Sequence, residues 1–295
     1  MIIIGAGMSG LLCGALNPGS TIYEAGPERE SDHKALFRCK SDQIGKVLGI
    51  PFKKVMVYKS IWLGETEVHS TPRIAHMYSQ KVAGKISGRS ITNIESGYRY
   101  IPPDDFIDQL KERCDIKYRY KYDFLSDSDG PVISTIPLFK AMDAFLIDAP
   151  EFSFKPIYVN RITIPNCDSY CTVYYPGHNA AYRASLIGDT LITEGMHKLH
   201  HNALVEICKS LGIRWNENYP EQITNHIQKM GKISAIDNKI RQKAITELTL
   251  KYGIYSLGRF ATWRPKVMLD DVLEDIWHIN RLIKGGDYAA IKHNN

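Results

Sequence analysis

The 295-residue chain contains no apolar run approaching the roughly 20 residues that a membrane-spanning helix needs. It also lacks low-complexity tracts and internal repeats, which excludes solenoid and linker-dominated architectures. The six cysteines (Cys13, Cys39, Cys114, Cys167, Cys171 and Cys208) are scattered, and no C-x-x-C pair occurs. That argues against a zinc ribbon, a dithiol redox centre or a disulfide framework, and suits reduced thiols in a cytoplasm. Cys167 and Cys171 offer a metal site or a disulfide on spacing alone; without further partners, packing is the better reading. Charge of one sign is scarce as well, the net value being only +5. Such a balance is compatible with an acidic or phosphorylated substrate, or with DNA, and requires none of them. No Ser-His-Asp arrangement or carboxylate pair stands out. The first strand begins at residue 1, so no signal peptide is expected ahead of it.

What the chain does have comes first. Met1 to Gly10 reads MIIIGAGMSG, an Ile-rich strand running into Gly5-x-Gly7-x-x-Gly10. Leu11, Leu12, Ala15 and Leu16 then mark an apolar helix, and Thr21-Ile22-Tyr23-Glu24 a second strand ending in a carboxylate. These are the parts of a dinucleotide site in order. Gly5 permits the tight turn, Gly7 lets a pyrophosphate approach the backbone, and Gly10 allows close helix–strand packing. The helix N-terminus offers N–H groups and partial positive charge to the phosphates. Glu24 is placed to accept from a ribose hydroxyl pair.

The length and ordinary apolar content suit one large α/β domain or two intertwined ones. Ser41 is expected to cap a short helix ended by Gly49. Residues 52–58 read as a strand continued by 61–63. Ser70-Thr71-Pro72 opens a helix with Ile74, Met77, Tyr78 and Val82 on one face, closed by Gly84 and Gly88. Asp104 and Asp105 open another. Residues 116–124 alternate strictly, which predicts a half-buried strand with its tyrosines facing the core. A turn at 127–130 leads to a buried strand over 131–137, then to a helix burying Leu138, Met142 and Phe145. Residues 152–194 are expected to form an antiparallel sheet.

Residues 197–211 predict an amphipathic helix carrying His197, His200 and His201 at i, i+3 and i+4. That spacing can seat a metal, but no further ligand is evident and none is expected. Residues 221–230 read as a short helix, 231–233 as a tight turn or strand start, and 238–250 as a helix. Residues 252–259 read as a buried strand, and Asp270-Asp271-Val272 as the opening of the last long helix.

Three separated segments (IIIGAGMSGL…IYEAG, VISTIPL and YSLGRFATWRPKVMLDDVLEDI) together resemble the amine-oxidase-like and UDP-galactopyranose-mutase-like flavoproteins. The resemblance covers the nucleotide half well and the substrate half poorly. It implies FAD and an α/β fold: a Rossmann-like FAD-binding domain with an interleaved α+β substrate domain containing an antiparallel sheet. The implied boundaries are 1–40, 103–147 and 248–295 for the FAD-binding domain, and 41–102 with 148–247 for the substrate domain. Carried over by position, Gly5, Gly7, Met8, Ser9 and Gly10 would hold the pyrophosphate, with Glu24 and Ala25 at the ribose. Arg38, Thr135, Gly258 and Arg259 would line the cofactor. The helix start at Asp270, Asp271 and Val272 would aim N–H groups at the flavin O2 edge, where reduced flavin is anionic.

Lys232 is the catalytic candidate, holding a water near flavin N5 as a lysine does in several amine oxidases. Tyr174, Tyr175 and Arg183 are the substrate-binding candidates, with Arg183 suited to a carboxylate or phosphate. The histidine-rich mutase loop and a pair of UDP-binding arginines are absent. Short flavoproteins with the GRFATW segment also resemble bacteriophage-encoded oxidoreductases, some of which act on amino-acid-decorated thymine in DNA.

Three functions follow. The first is FAD-dependent hydride transfer from a carbon next to nitrogen, on a small or nucleobase-attached amine, in a host cytoplasm and away from membranes. The second is a mutase-like, non-redox flavoenzyme. The third is a binding protein with an inert dinucleotide.

Overall fold

The structure is a computed structural model and describes residues 1–28, 35–86, 91–92, 94–125, 130–223 and 225–285. The Ile-rich start is β1 (Ile2–Ile4), and the glycine turn delivers the chain into α1 (Met8–Leu16). Then come β2 (Thr21–Glu24), α2 (Gln43–Leu48), the long β3 (Lys53–Leu63) and β4 (Thr66–Val68). In α3 (Pro72–Ala83) the Thr71 hydroxyl accepts from the Ile74 N–H, and Gly84 closes the helix in the left-handed region. Next are β5 (Gly97–Ile101), α4 (Phe106–Lys111), β6 (Asp115–Tyr118), β7 (Val132–Ser134) and α5 (Leu138–Ala144). A run of strands follows: β8 (Phe154–Thr163), β9 (Ser169–Tyr174), β10 (Ala181–Gly188) and β11 (Thr190–Gly195). The chain continues through α6 (His201–Ser210), β12 (His226–Ile233), α7 (Asn238–Tyr252), β13 (Ile254–Ser256), α8 (Gly258–Ala261) and α9 (Leu269–Lys284).

Two sheets organise these elements. The first is parallel, in the order β13-β7-β1-β2-β6. Both faces are covered at β1 and β7, which is why these strands are nearly all apolar, whereas the edge strand β6 is half polar and partly exposed. Ile3, Ile22 and Ile133 point to one face, packed by Leu11 and Leu12 of α1 and by Val272 and Ile276 of α9. Ile4, Val132 and Ile254 point to the other, against Leu138 and Met142 of α5 and Leu248 of α7. The second sheet runs β12-β8-β11-β10-β9-β3-β4, with β5 also on β3. It is antiparallel except where β3 meets β9. The α/β class and the antiparallel run over 152–194 are therefore as expected. Among the described residues no helix is long and apolar enough to cross a membrane.

Four local expectations are corrected. The strand predicted over 116–124 stops at Tyr118, because its partner β2 ends at Glu24 and Arg119 turns into the left-handed region at φ 57°. Tyr120 is consequently exposed, while Tyr122 is buried and packs on the Tyr23 ring. Residues 226–233 form a strand on the edge of β8, not a helix. The helix predicted from residue 197 begins at His201, and His200 caps it by accepting from the Ala203 N–H. His197 therefore lies off the helix, and the i, i+3, i+4 histidine face does not form; among the described residues no group of three metal-ligating side chains assembles. Asp42, not Ser41, takes the cap position of α2. The expected stop at Gly88 and the turn residues 127–129 lie outside the described residues.

All six cysteines are unpaired thiols. Burial pushes Cys13 and Cys39 up to about 12, and Cys114 and Cys208 to about 11. Thiolate is the reactive form, so these side chains should be inert in the native state. Iodoacetamide near neutral pH is expected to label Cys167 well before Cys13, Cys39 and Cys208. All six should react in denaturant. Mass spectrometry showing early native labelling at Cys13 would contradict this packing.

Candidate functional site

The glycine turn is built by contacts that only these residue types permit. Gly5 sits at φ 96°, where a side chain is strained. Its N–H donates to Tyr23 O (2.9 Å), tying the turn to β2. Thr135, just after β7, donates its hydroxyl to Ile4 O (2.8 Å) and locks the turn from the other side. A Cβ at Gly10 would strike the Gly5 carbonyl oxygen, so α1 can approach β1 this closely only with glycine. Gly7 differs: a Cβ there would meet nothing within 4 Å, and its backbone is extended at φ −75°. Gly7 thus faces open space at the N-terminus of α1. The first intrahelical bond is Leu11 N–H to Gly7 O. By helix geometry the N–H groups of Met8, Ser9 and Gly10 lack intrahelical acceptors and point the same way.

Glu24 closes one end of this arrangement. Its two oxygens accept from Ala6 N–H (2.9 Å) and Gly26 N–H (2.8 Å). Each carboxylate oxygen has a second lone pair for an external hydroxyl. Ala25 is exposed beside it.

A cleft of about 350 Å³ starts at Gly7, Met8 and Ser9 and passes Thr135. It continues along Arg259 and Phe260 and reaches the start of α9 at Met268, Leu269 and Val272. Arg38 lines it, held by a bond to Thr172 Oγ1 (3.0 Å). Gly258, at φ 84°, lies so close to Ser9 that a Cβ would strike its side chain. Arg259 is anchored by a bond to Met230 O (3.0 Å). The side chains of Asp270 and Asp271 are committed elsewhere. Asp270 accepts from the N–H groups of Lys40 and Ser41, and Asp271 from Met268 N–H (2.7 Å). Their contribution to the cleft is to fix the start of α9. Larger hollows of about 570 and 590 Å³ flank α7, but neither touches the glycine turn.

The far wall of the cleft is polar. Arg183 on β10 and Glu194 on β11 are direct cross-strand partners and form an ion pair. The Tyr182 hydroxyl donates to the same carboxylate (2.7 Å), and Leu36 N–H to its other oxygen (3.2 Å). Burial alone would raise the Glu194 carboxyl; the Arg183 charge, helped by Lys232 and the Tyr182 hydroxyl, more than reverses this and holds it well below the ordinary range. Burial, then the Glu194 charge, pushes the Tyr182 phenol up. Lys232 completes the group, its ammonium lying 4.1 Å from the Tyr182 ring centroid. It reaches this wall because the β12 pairing with β8 shifts register between Gln228 and Lys232. Gly231, pressed against Ile157, leaves no room for a side chain at that irregularity.

Tyr182, Arg183 and Lys232 also line a second cleft of about 340 Å³. Tyr174 lines it too, set edge-on to Tyr78 (5.8 Å). Lys232, Arg183 and Tyr174 are thus brought together at the junction of the two clefts. Tyr175 does not join them: alternation along the strand sends it to the opposite face, where it is fully buried and its hydroxyl meets Ser210 Oγ (2.6 Å). Sequence reasoning missed Tyr182 and Glu194. A two-residue turn at Gly188-Asp189, recognised as such, sets the hairpin register that pairs Arg183 with Glu194.

No protein-family model matches the chain, and no curated protein matches it. Solved structures do. A flavoprotein/dehydrogenase from Cytophaga hutchinsonii superposes with a TM-score of 0.52 at 10% identity, covering 96% of this chain and 78% of that one. An oxidoreductase from Methanosarcina mazei gives 0.53 at 10% identity, over 95% of this chain and 99% of that one. The tryptophan 5-halogenase MibH gives 0.53 at 9% identity, over 96% of this chain and 65% of the halogenase. At such identity the likeness is one of fold, and it spans both sheets.

Proposed function

We propose that the chain binds FAD and acts as an oxidoreductase on a carbon–nitrogen bond. One observation carries the cofactor: a single cleft joins the glycine turn, Thr135, Arg259 and the start of α9. These groups suit an extended dinucleotide with a pyrophosphate at one end and an anion-accepting ring at the other. The fold shared with a flavoprotein/dehydrogenase and an oxidoreductase supports the same reading. When bound, the flavin supplies a two-electron acceptor at N5.

The chain's residues supply binding, orientation and charge. The N–H groups at the start of α1 hold the pyrophosphate, and Glu24 accepts from the ribose. The N-terminal end of α9 places partial positive charge at the opposite end of the cleft. Arg38 and Arg259 add fixed cations along it. Lys232, on the wall shared by the two clefts, holds a water or a substrate heteroatom by donating from its ammonium. Nothing further is required if the amine arrives neutral.

The finer reading is an amine-oxidase-type reaction on an amino-acid-bearing base, such as glycine-modified thymine, free or in phage DNA. It rests on the resemblance of the GRFATW segment to small phage flavoproteins. Anaerobic addition of simple amines and of glycine-modified thymidine to the FAD-loaded protein tests it. Bleaching of the flavin bands by any of these is the expected result. Turnover that appears only after dithionite reduction, with no bleaching by any amine, would overturn the redox reading.

A further inference from the structure

The second cleft has a chemistry that the dinucleotide does not use. Its described wall carries four cationic side chains (Lys59, Arg183, Lys232 and Lys266) and no carboxylate. Glu194 behind the wall balances Arg183 and also attracts Lys232, but the buried Nε–H of Arg183 has no acceptor among the described residues. Lys59 gives one ammonium proton to Glu95 O (2.7 Å), which leaves two for other acceptors. The remaining lining is apolar or aromatic, with Tyr78, Tyr174, Ile91 and Ile94. Like charges crowd this region. Burial, then the Arg99 and Arg38 charges, push the Lys59 ammonium below its ordinary value, with Glu95 opposing only in part. Arg38 itself is pushed down to about 10, by burial and then by Arg183 and Arg99. An arrangement of this kind gains stability when an anion enters.

We propose that the second cleft is the substrate site, and that it takes an organic anion. A carboxylate or phosphate group meets Lys59 and Lys266, while the apolar body lies against Tyr78 and Tyr174. This rests on the first cleft being the FAD site, because the two clefts meet at Tyr182, Arg183 and Lys232, which brings a substrate in the second beside a cofactor in the first. The tyrosine faces favour a flat or unsaturated body over a bulky saturated one.

Calorimetric titration of the FAD-loaded protein with phenylacetate, phenylphosphate and neutral phenylacetamide tests this, with flavin content read from absorbance in the same samples. At least one anion is expected to bind about tenfold or more tightly than the amide, since only the anion gains Coulomb energy from the cluster of cations. The tighter of the two anions identifies the headgroup. Lys266→Gln, at an exposed position, and Lys59→Gln are each expected to weaken that anion about fivefold and leave the amide unchanged. Lys59→Arg should retain most of the affinity. Equal binding of amide and anions, no binding of either anion, or unchanged anion affinity in both glutamine variants would overturn the proposal. Protein that binds the anions but carries no flavin would instead sink the cofactor reading.

Discussion

Gly7→Asp is expected to weaken FAD binding by a factor of about 100 or more while leaving the fold intact, a loss of about 2.7 kcal/mol in affinity. The two halves of that expectation have separate causes. The Gly7 backbone is extended, and a Cβ there meets nothing within 4 Å, so a side chain can leave the backbone without a clash. It is also a preferred helix cap, and the stability of α1 should hold or rise. Yet the new carboxylate occupies the space in front of the N–H groups of Met8 and Ser9, and opposes a phosphate with like charge. Gly10→Ala is the contrast. Its Cβ would collide with the Gly5 carbonyl, so the helix must shift and stability falls together with binding. Flavin titration beside thermal unfolding separates the two. A Gly7→Asp protein that retains full FAD affinity would remove the phosphate from this turn.

Arg183→Met is expected to be the most destabilising single change at the site, at about 3 kcal/mol, because it removes the main counter-charge of a buried carboxylate and leaves it only Lys232, the Tyr182 hydroxyl and the Leu36 N–H. Glu194 is 4% exposed and Arg183 25%, so solvent screens the pair little. Adding Glu194→Gln to the same chain should recover much of the loss, since the charge is then gone from both sides. Urea unfolding measures both. The pH dependence has a definite sign. The folded Glu194 carboxyl lies below its ordinary value of 4.5, so its contribution is complete above that pH. It is lost progressively as pH falls below 4.5 toward the folded value. In Arg183→Met the main cause of the depression is absent, and this acid-side loss should shrink. A variant as stable as the parent, with an unchanged acid limb, would contradict the ion pair.

The glycine turn with its flanking strands and helix was legible because its signals are local. Gly5, Gly7, Gly10 and Glu24 sit within a few residues of the strands and helix that position them, and each has one physical job. The junction of the two clefts was less so. Lys232 and Arg183 could be proposed singly, but what joins them is a strand register and a β-irregularity far apart in sequence. Glu194 is inconspicuous in TLITEG until the Gly188-Asp189 hairpin is closed and places it opposite Arg183. Residues 221–230 misled for a different reason. Ile223, Ile227 and Met230 fall at helical spacing, and a short apolar run does not distinguish helix from strand. The open edge of β8 decides it, pairing Ile227 with Tyr158. The alternation over 116–124 was real, but a strand extends only as far as its neighbour, and β2 runs out at Glu24.

The central claim is that the glycine turn and the start of α9 hold the two ends of one flavin dinucleotide. The most direct test is the visible absorption spectrum of the protein after incubation with FAD and removal of unbound cofactor, with Gly7→Asp as the control. Flavin bands near one equivalent per chain in the parent protein, and their loss in the control, are the predicted result. A parent protein that emerges colourless, or a control that retains as much flavin as the parent, would contradict the account.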